Sequence, residues 1–334
     1  MSRAWLVLCA LALAACAPSA ADAPIPEQWR QIEVTAAPVP LGAPRVGRLI
    51  YRGGLVLTSN DAAFGGLSDL EVLDNNRVLA ISDAGQWFEG HLLLNEAGEL
   101  IGLSDVRTAL MRDETGQPFA NKAAGDSEDM AQLPDGRFAV SFEQTQTIRI
   151  YDLNRDGPFG AAIAGPPLAD TQRLPPNVGL EALASAGDGA LLIGAEGGGA
   201  ATTPLWRAPL DAHAPVAPLI GYPPERGYSL TSLDRLPDGG FVALERFYAP
   251  IIGARARITR FPDSALDAHA DRLADVEELA RLAPPLTLDN FKGVSAVRLA
   301  NGVTRLYIVS DNNFSTRQRT LLLAFDVDES QAPN

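Results

Sequence analysis

Five times along this chain the same short plan recurs, and a repeat of that period restricts the fold more than any other feature of the sequence. The copies are 67–83, 128–143, 181–196, 230–245 and 293–311. Each reads as a short apolar strand, a tight turn, and a second apolar strand ending at a carboxylate: Asp83, Glu143, Glu196, Glu245 or Asp311. The turns are Asp135-Gly136, Asp188-Gly189, Asp238-Gly239, Asn301-Gly302 and, less ideally, Asn75-Asn76. These pairs suit the positive φ angles of hairpin turns. Further strand-like runs follow each hairpin, such as His91 to Leu94, Thr147 to Leu153, Pro204 to Leu210, Arg255 to Phe261 and Arg319 to Val327. A unit of four strands over 50 to 60 residues is a propeller blade, so the expected fold is an all-β propeller.

Blade count follows from closure. Aligned repeat starts at Ser68, Glu128, Glu181, Thr231 and Lys292 are separated by 60, 53, 50 and 61 residues. The stretches from Lys292 to Val327 and from Arg45 to Ser68 together span 58 residues, one more interval. Five four-stranded blades are therefore expected. Arg45 to Thr58 would supply the outer strand of the last blade and hide its edge. Six blades remain an alternative if the run at Gln31 belongs to a degenerate blade. Ala265 to Leu282 has helical composition, with Leu266, Leu273, Val276, Leu279 and Leu282 on one helical face, yet its place demands an outer strand. Helix and strand both stay open there.

The first residues point to export. Arg3 precedes an apolar run from Trp5 to Ala15, the length of a signal h-region and too short to span a bilayer. Leu13-Ala14-Ala15-Cys16 resembles the bacterial lipobox, so residues 1–15 are expected to be cleaved and Cys16 lipidated. An ordinary cut near Ala21 is the alternative. Ala17 follows the cysteine where Asp would argue for inner-membrane retention, so the expected location is the outer membrane, facing the periplasm. Membrane contact is expected through the lipid alone. Cys9 and Cys16 are the only cysteines, which leaves the mature body without a thiol or disulfide. Residues 16–44, rich in Ala and Pro, read mostly as a tether, interrupted by a short β-like run from Gln31 to Thr35, and 45–330 as a single monomeric domain.

A formal charge of −14 repels phosphate backbones and excludes nucleic acid as an expected partner. It suits a divalent cation where carboxylates converge. In a propeller the start of the innermost strand and the end of the next lie near the axis. The repeated acids fall there: Asp69, Asp83, Glu128, Asp129, Glu143, Glu181, Glu196, Glu245, Asp289 and Asp311, with Asn290, Asn312 and Asn313 adding neutral oxygens. Oxygen donors are calcium or magnesium ligands, calcium being the first expectation. The expected ligands are Glu128, Glu143, Glu181, Glu196 and Asp311, with Asp83 as general base. Asp69, Asp129, Asn290, Lys292 and Asn312 are the expected substrate-facing set. The competing reading has these acids capping turns or pairing with Arg77, Arg137 or Arg246. His91, His213 and His269 are far apart, which speaks against zinc and a Ser-His-Asp triad, and no Gly-x-Ser-x-Gly, His-Glu-x-x-His or P-loop pattern occurs. Trp87 and Phe88 line a rim or, more simply, pack in the core.

Several phrases resemble one family. Phe64-Gly-Gly-Leu-Ser68, Ile81-Ser-Asp-Ala-Gly85, Asp126-Ser-Glu-Asp129, Leu133-Pro-Asp-Gly136, Val140-Ser-Phe-Glu143, Asp289-Asn-Phe-Lys-Gly293 and Tyr307-Ile-Val-Ser-Asp-Asn-Asn-Phe314 are similar to the bacterial phytase-like family, often labelled esterase-like activity of phytase. The resemblance implies a secreted or anchored β-propeller acting on an ester or phosphoester. The chain also departs from that pattern. Lys292 stands where the family usually has Glu, and Gln144, Gln146 and Thr147 where Arg, His and Arg are common. Loss of that basic cluster weakens a phosphate-binding reading. Two functions are carried forward: a metal-dependent hydrolase of a small phosphoester, ester or lactone, and a non-catalytic envelope module binding a glycan, peptide or protein.

Overall fold

The computed structural model describes residues 28–175, 178–197, 201–249, 252–267 and 271–330. Five antiparallel sheets follow one another along the chain, each starting at its innermost strand. Blade 1 contains Leu67–Val72, Arg77–Ser82, Gln86–Leu94 and Leu100–Leu110, and blade 2 Ser127–Gln132, Phe138–Phe142, Thr147–Tyr151 and Ile163–Ala164. Blade 3 contains Leu180–Ser185, Ala190–Ala195, Thr203–Pro209 and Ile220–Tyr222, and blade 4 Ser229–Arg235, Phe241–Ala249, Gly253–Phe261 and Glu277–Leu282. Blade 5 runs Asn290–Arg298, Thr304–Asp311, Thr320–Val327 and is completed from the other end of the chain by Leu49–Thr58. The protein is a five-bladed β-propeller closed as the repeat spacing predicts.

The strands are apolar on both faces because each blade is covered by two neighbours. Ala190–Ala195 and Thr320–Val327 are buried at every position. The core divides into five clusters, one per gap between blades. The cluster that closes the ring packs Leu67, Leu70 and Phe88 of blade 1 against Leu55, Val309 and Leu322 of blade 5. At about 1.5–3 kcal/mol per fully buried large side chain, these gaps dominate the stability of the ring. Trp87, fully buried, meets Tyr151 edge-on at 5.2 Å between blades 1 and 2, and Phe88 meets Phe64 at 5.5 Å, so both are core residues.

The hairpin turns confirm the signal with one refinement. Gly136, Gly189, Gly239 and Gly302 take positive φ, while the preceding Asp or Asn does not. Gly136 N donates to Leu133 O, and Leu133 N to Arg137 O, the pattern of a turn closed by a glycine bulge. Asn75 and Asn76 both sit at φ +59°.

Three expectations are corrected or resolved. Residues 30–44 are not a free tether: Arg30–Gln31 pairs with the outer strand of blade 1, and Thr35–Pro38 with Leu49–Thr58. Their backbone covers edges that would otherwise template aggregation. The run at Gln31 is thus an edge strand of blade 1, and the described residues form five blades. Between 265 and 282, a 3-10 turn at Asp263–Asp267 leads on to the strand Glu277–Leu282; burial of Leu279 and Leu282 against blade 5 overrides helical propensity. The leader, including Cys16, lies outside the described residues. Among the described residues no helix is long and apolar enough to cross a membrane.

Candidate functional site

An innermost strand has no neighbour on its axial side, so its bare edge must be satisfied by side chains. At one end of the axis the sequence meets this need with a five-fold motif. The ladder between the first and second strands slips by one residue in every blade, at Ser68, Glu128-Asp129, Glu181, Thr231 and Lys292. These bulges coincide with the aligned repeat starts, and a bulge re-aims the side chain it carries. Two residues before each bulge, Gly66, Asp126, Gly179, Ser229 and Asn290 face the ends of the second strands: Asp83, Glu143, Glu196, Arg246 and Asp311. Three tiers contributed by five blades therefore form one mouth.

Lys292 lies at its centre. Its Nζ donates to Glu181 Oε2 at 2.9 Å and is 2.8 Å from Glu128 Oε2. The Glu128 contact is an ion pair without hydrogen-bond geometry, since that oxygen has no hydrogen-bond partner. Burial alone would lower the Lys292 pKa, but Glu128 and Glu181 outweigh it and raise it. A second ammonium, Lys122, donates to Asp126 Oδ1 at 2.8 Å and lies 3.0 Å from Asp83 Oδ2. Arg246 donates to Asn290 Oδ1 at 2.8 Å and Glu196 Oε1 at 3.2 Å. Asn290 Nδ2 in turn reaches Asp311 Oδ2 at 3.5 Å. Seven carboxyls thus share three cations.

That excess of acid shows in the titration. Burial raises Asp83, with Lys122 opposing. Burial raises Glu143 and Glu196, with Glu181 adding in each case. Burial pushes Asp311 up to about 6, and Asp83 contributes to the rise. Burial drives Glu128 well above the usual carboxylate range despite Lys292. Carboxyls held this way are primed to take a proton or a cation.

The expected ligand set is redistributed by this geometry. Glu128 and Glu143 come together with Asp126, one oxygen of each within 4.8 Å of the others. Glu181 and Glu196 stand outside that group; Glu181 is paired with Lys292 and Glu196 with Arg246. Asp311 sits on the blade 5 side, its Oδ1 accepting from Asn313 N at 2.5 Å. Asp83 stands beside Lys122, and its Oδ1 is buried with no hydrogen-bond partner. Lys292 is not substrate-facing but an internal counter-ion. Asn290 bridges Arg246 and Asp311, and Asn312 Oδ1 accepts from Gly66 N and Phe314 N at 3.1 Å each, so both brace the mouth.

Asp69 and Asp129 are also corrected. Both are buried below the mouth, where their oxygens satisfy bare inner-strand edges. Asp69 Oδ2 accepts from Met130 N at 3.1 Å; Asp129 Oδ2 accepts from Leu183 N at 2.6 Å and Leu233 N at 3.1 Å. Burial, then the neighbouring Asp129, holds the Asp69 carboxyl well above its ordinary value. Gly293 is required here, since a Cβ would lie 2.4 Å from Asp69 Oδ1 and 2.7 Å from its Cα. Glu245 points to the opposite face from the mouth and is fully buried, accepting from Tyr222 and Arg257 at 2.7 Å. The next residue, Arg246, takes the mouth position, a one-residue displacement that reverses the face in a strand. Asp289 pairs with Arg319 at 3.5 Å. His91 and His213 are exposed on separate blades; His269 lies outside the described residues.

Reasoning from sequence missed Asp126 as a ligand candidate and Lys122 altogether. Asp126 was findable, two residues ahead of an aligned start; Lys122, in the turn Lys122–Ala124 between blades, carries no repeat signal. No curated protein sequence matches this chain. Solved structures with a similar course include a protein assigned provisionally as a gluconolactonase, 14% identical, covering 91% of this chain and 94% of that one at a TM-score of 0.45. A PQQ-bound aldose sugar dehydrogenase from Streptomyces coelicolor is 15% identical, covering 90% and 100% at 0.42. A glycosyl hydrolase from Bacteroides ovatus is 11% identical, covering 86% and 93% at 0.43. Likeness at these values says nothing of activity. The model of the phytase-like family, described as esterase-like activity of phytase, matches residues 62–314, and the chain belongs to that family.

Proposed function

We propose that this chain is a metal-dependent hydrolase of an ester, phosphoester or lactone, working at the mouth of the propeller axis. The observation that carries the reading is the convergence of Asp126, Glu128 and Glu143, with one oxygen of each inside 4.8 Å. Calcium binds oxygen at about 2.3–2.6 Å, so two ligands across one ion stand up to about 5 Å apart, and the spacing fits. Glu128 Oε2 meets no hydrogen-bond geometry and is balanced only by the Lys292 ammonium at 2.8 Å, so a metal there would share this carboxylate with Lys292. Three hard oxygen donors favour calcium, or magnesium, over softer metals. Bound there, the ion would polarise the substrate oxygen and acidify water.

The chain's own groups do the rest. Asp83 Oδ1 is an unused acceptor on a carboxyl whose pKa burial has raised, which suits a general base. Lys122, between Asp83 and Asp126, places a positive charge where negative charge grows on the substrate. Gly179 lets Glu143 lean across from blade 2, since a Cβ there would lie 2.0 Å from Glu143 Cγ. The lipobox-like leader supports a setting in the bacterial envelope, anchored through Cys16 to the outer membrane and facing the periplasm, as a monomer.

The test is turnover of a panel of acyl esters, phosphate monoesters and lactones by the purified mature chain, with calcium and with chelator. Calcium-dependent turnover lost in Asp83→Asn supports the reading; no turnover of any member with calcium supplied defeats it. One observation favours a second reading, a propeller that binds a glycan or protein without chemistry: Lys292 already places a cation between Glu128 and Glu181. Under that reading Lys292→Met abolishes partner binding and no ester is hydrolysed.

A further inference from the structure

Phe314 is an unusual residue for its place. It is 48% exposed, although large and apolar, and it follows Asp311, Asn312 and Asn313 at the rim of the mouth. Its φ is +49°, a region that bulky side chains rarely adopt and that persists only where the surroundings impose it. Asn312 Oδ1 imposes it, accepting from Phe314 N and from Gly66 N across the blade 5–blade 1 seam. The ring lies over Gly65 and Gly66. A Cβ on Gly65 would be 2.9 Å from ring Cδ1, and one on Gly66 would be 2.5 Å from Cε2. The same Gly66 position is 2.3 Å from Asp83 Oδ1, which puts the ring edge within 4.8 Å of that oxygen. One side of the ring is thus seated on two glycines, and the half-exposed remainder stands beside Asp83, which is itself close enough to Asp311 for their charges to interact.

We propose that this platform binds an uncharged polyhydroxylated ring, a sugar or sugar lactone, with its C–H face on Phe314 and its hydroxyls on Asp83 and Asp311. The inference rests on the mouth being the substrate site and narrows the substrate to one chemical class. An aromatic face carries negative charge and attracts polarised C–H groups. Carboxylates accept hydroxyl hydrogen bonds and form charge-assisted bonds with them. Charge complementarity decides against a phosphorylated ligand, because seven carboxyls outnumber Lys122, Lys292 and Arg246 and repel an anion.

The experiment is binding, without turnover. The mature chain is titrated with a panel of methyl hexopyranosides, with glucose 6-phosphate as the charged counterpart, by saturation-transfer NMR and calorimetry. At least one neutral glycoside is expected to bind with its ring C–H protons saturated. Phe314→Ala should weaken it about fivefold or more, the range of one aromatic contact, and Phe314→Tyr should restore it. Glucose 6-phosphate should bind about tenfold more weakly than the neutral glycoside. Unchanged melting temperatures for both variants would show that the fold is intact, as the exposure of Phe314 predicts. No binding across the panel, binding indifferent to Phe314→Ala, or tighter binding of the phosphate overturns the proposal. If esters are hydrolysed but no glycoside binds, only this inference fails; if glycosides bind and no ester turns over, only the hydrolase reading fails.

Discussion

Replacing Lys292 by Met keeps most of the side chain's volume and deletes the ammonium between Glu128 and Glu181, both buried. Removing one partner of a buried ion pair typically destabilises by about 3–5 kcal/mol, because the other charge is left uncompensated. Here two carboxyls are left facing each other. For a domain of this size each kcal/mol moves the melting temperature by about 2 °C, so a fall of about 5–10 °C is expected at pH 8. The pH dependence separates this from loss of packing. Lys292, its pKa raised, stays charged across the working range, and its stabilisation in the wild type disappears only in strong alkali. In Lys292→Met, Glu128, already raised by burial and Glu181, rises further. The folded variant then holds a proton that the unfolded chain releases, so its stability grows as pH falls from 8 towards 5. Calorimetric melts at pH 5 and 8, with chelator, should show a deficit that shrinks in acid, and calcium should recover part of it at pH 8. A loss under about 1 kcal/mol, or one equal at both pH values, would refute the counter-ion role.

Glu143→Gln should weaken calcium binding about tenfold or more by titration calorimetry, while the melting temperature in chelator stays near wild type; an unchanged affinity would remove Glu143 from the ligand set. Saturating the wild type with calcium at about 100 times its Kd should add about 2.7 kcal/mol to the unfolding free energy, and chelator should remove it; a melt indifferent to both means no ion binds the folded state. Gly179→Ala should destabilise by about 1–3 kcal/mol and weaken calcium binding together, since its Cβ would also lie 2.9 Å from Glu143 Cα, which is backbone. At the far end of the axis, burial holds Asp234 at about 7, so the fold keeps a proton there that the unfolded chain loses above about pH 4. Its contribution makes stability fall as pH rises from about 4 to about 7, by on the order of 4 kcal/mol, and urea midpoints of Asp234→Asn should fall less steeply over that window than wild type.

The architecture was readable because turn chemistry and spacing are local properties repeated five times. Gly136, Gly239 and Gly302 mark hairpins whether or not the blade around them is known, and the spacing of the starts carried the blade count and the closing strand. The mouth was readable only in outline. Two adjacent acids, Glu128 and Asp129, look equivalent in sequence, but a bulge sends the first to the cation cluster and the second down to the backbone of blades 3 and 4. Glu245 and Arg246 were exchanged for the same reason: a one-residue difference in register reverses the face. Lys122 came from a connecting turn with no counterpart in other blades, so no repeat could announce it. Lys292 was visible as a departure from the family pattern, but its role depends on the distance to Glu181, which is 111 residues away in sequence.

The strand Leu49–Thr58 is among the first segments of the body to be made and among the last to be seated. Its partner, Thr320–Val327, is separated from it by nearly the whole propeller, so a growing or translocating chain must carry Leu-Ile-Tyr and Leu-Val-Leu with one strand edge open, the other being covered locally by Thr35–Pro38 and Arg45–Val46, until the final blade arrives. Loop closure over that distance is slow, and an apolar strand left waiting is a ready template for a wrong neighbour. The ring is therefore a clasp, complete only when its two ends meet.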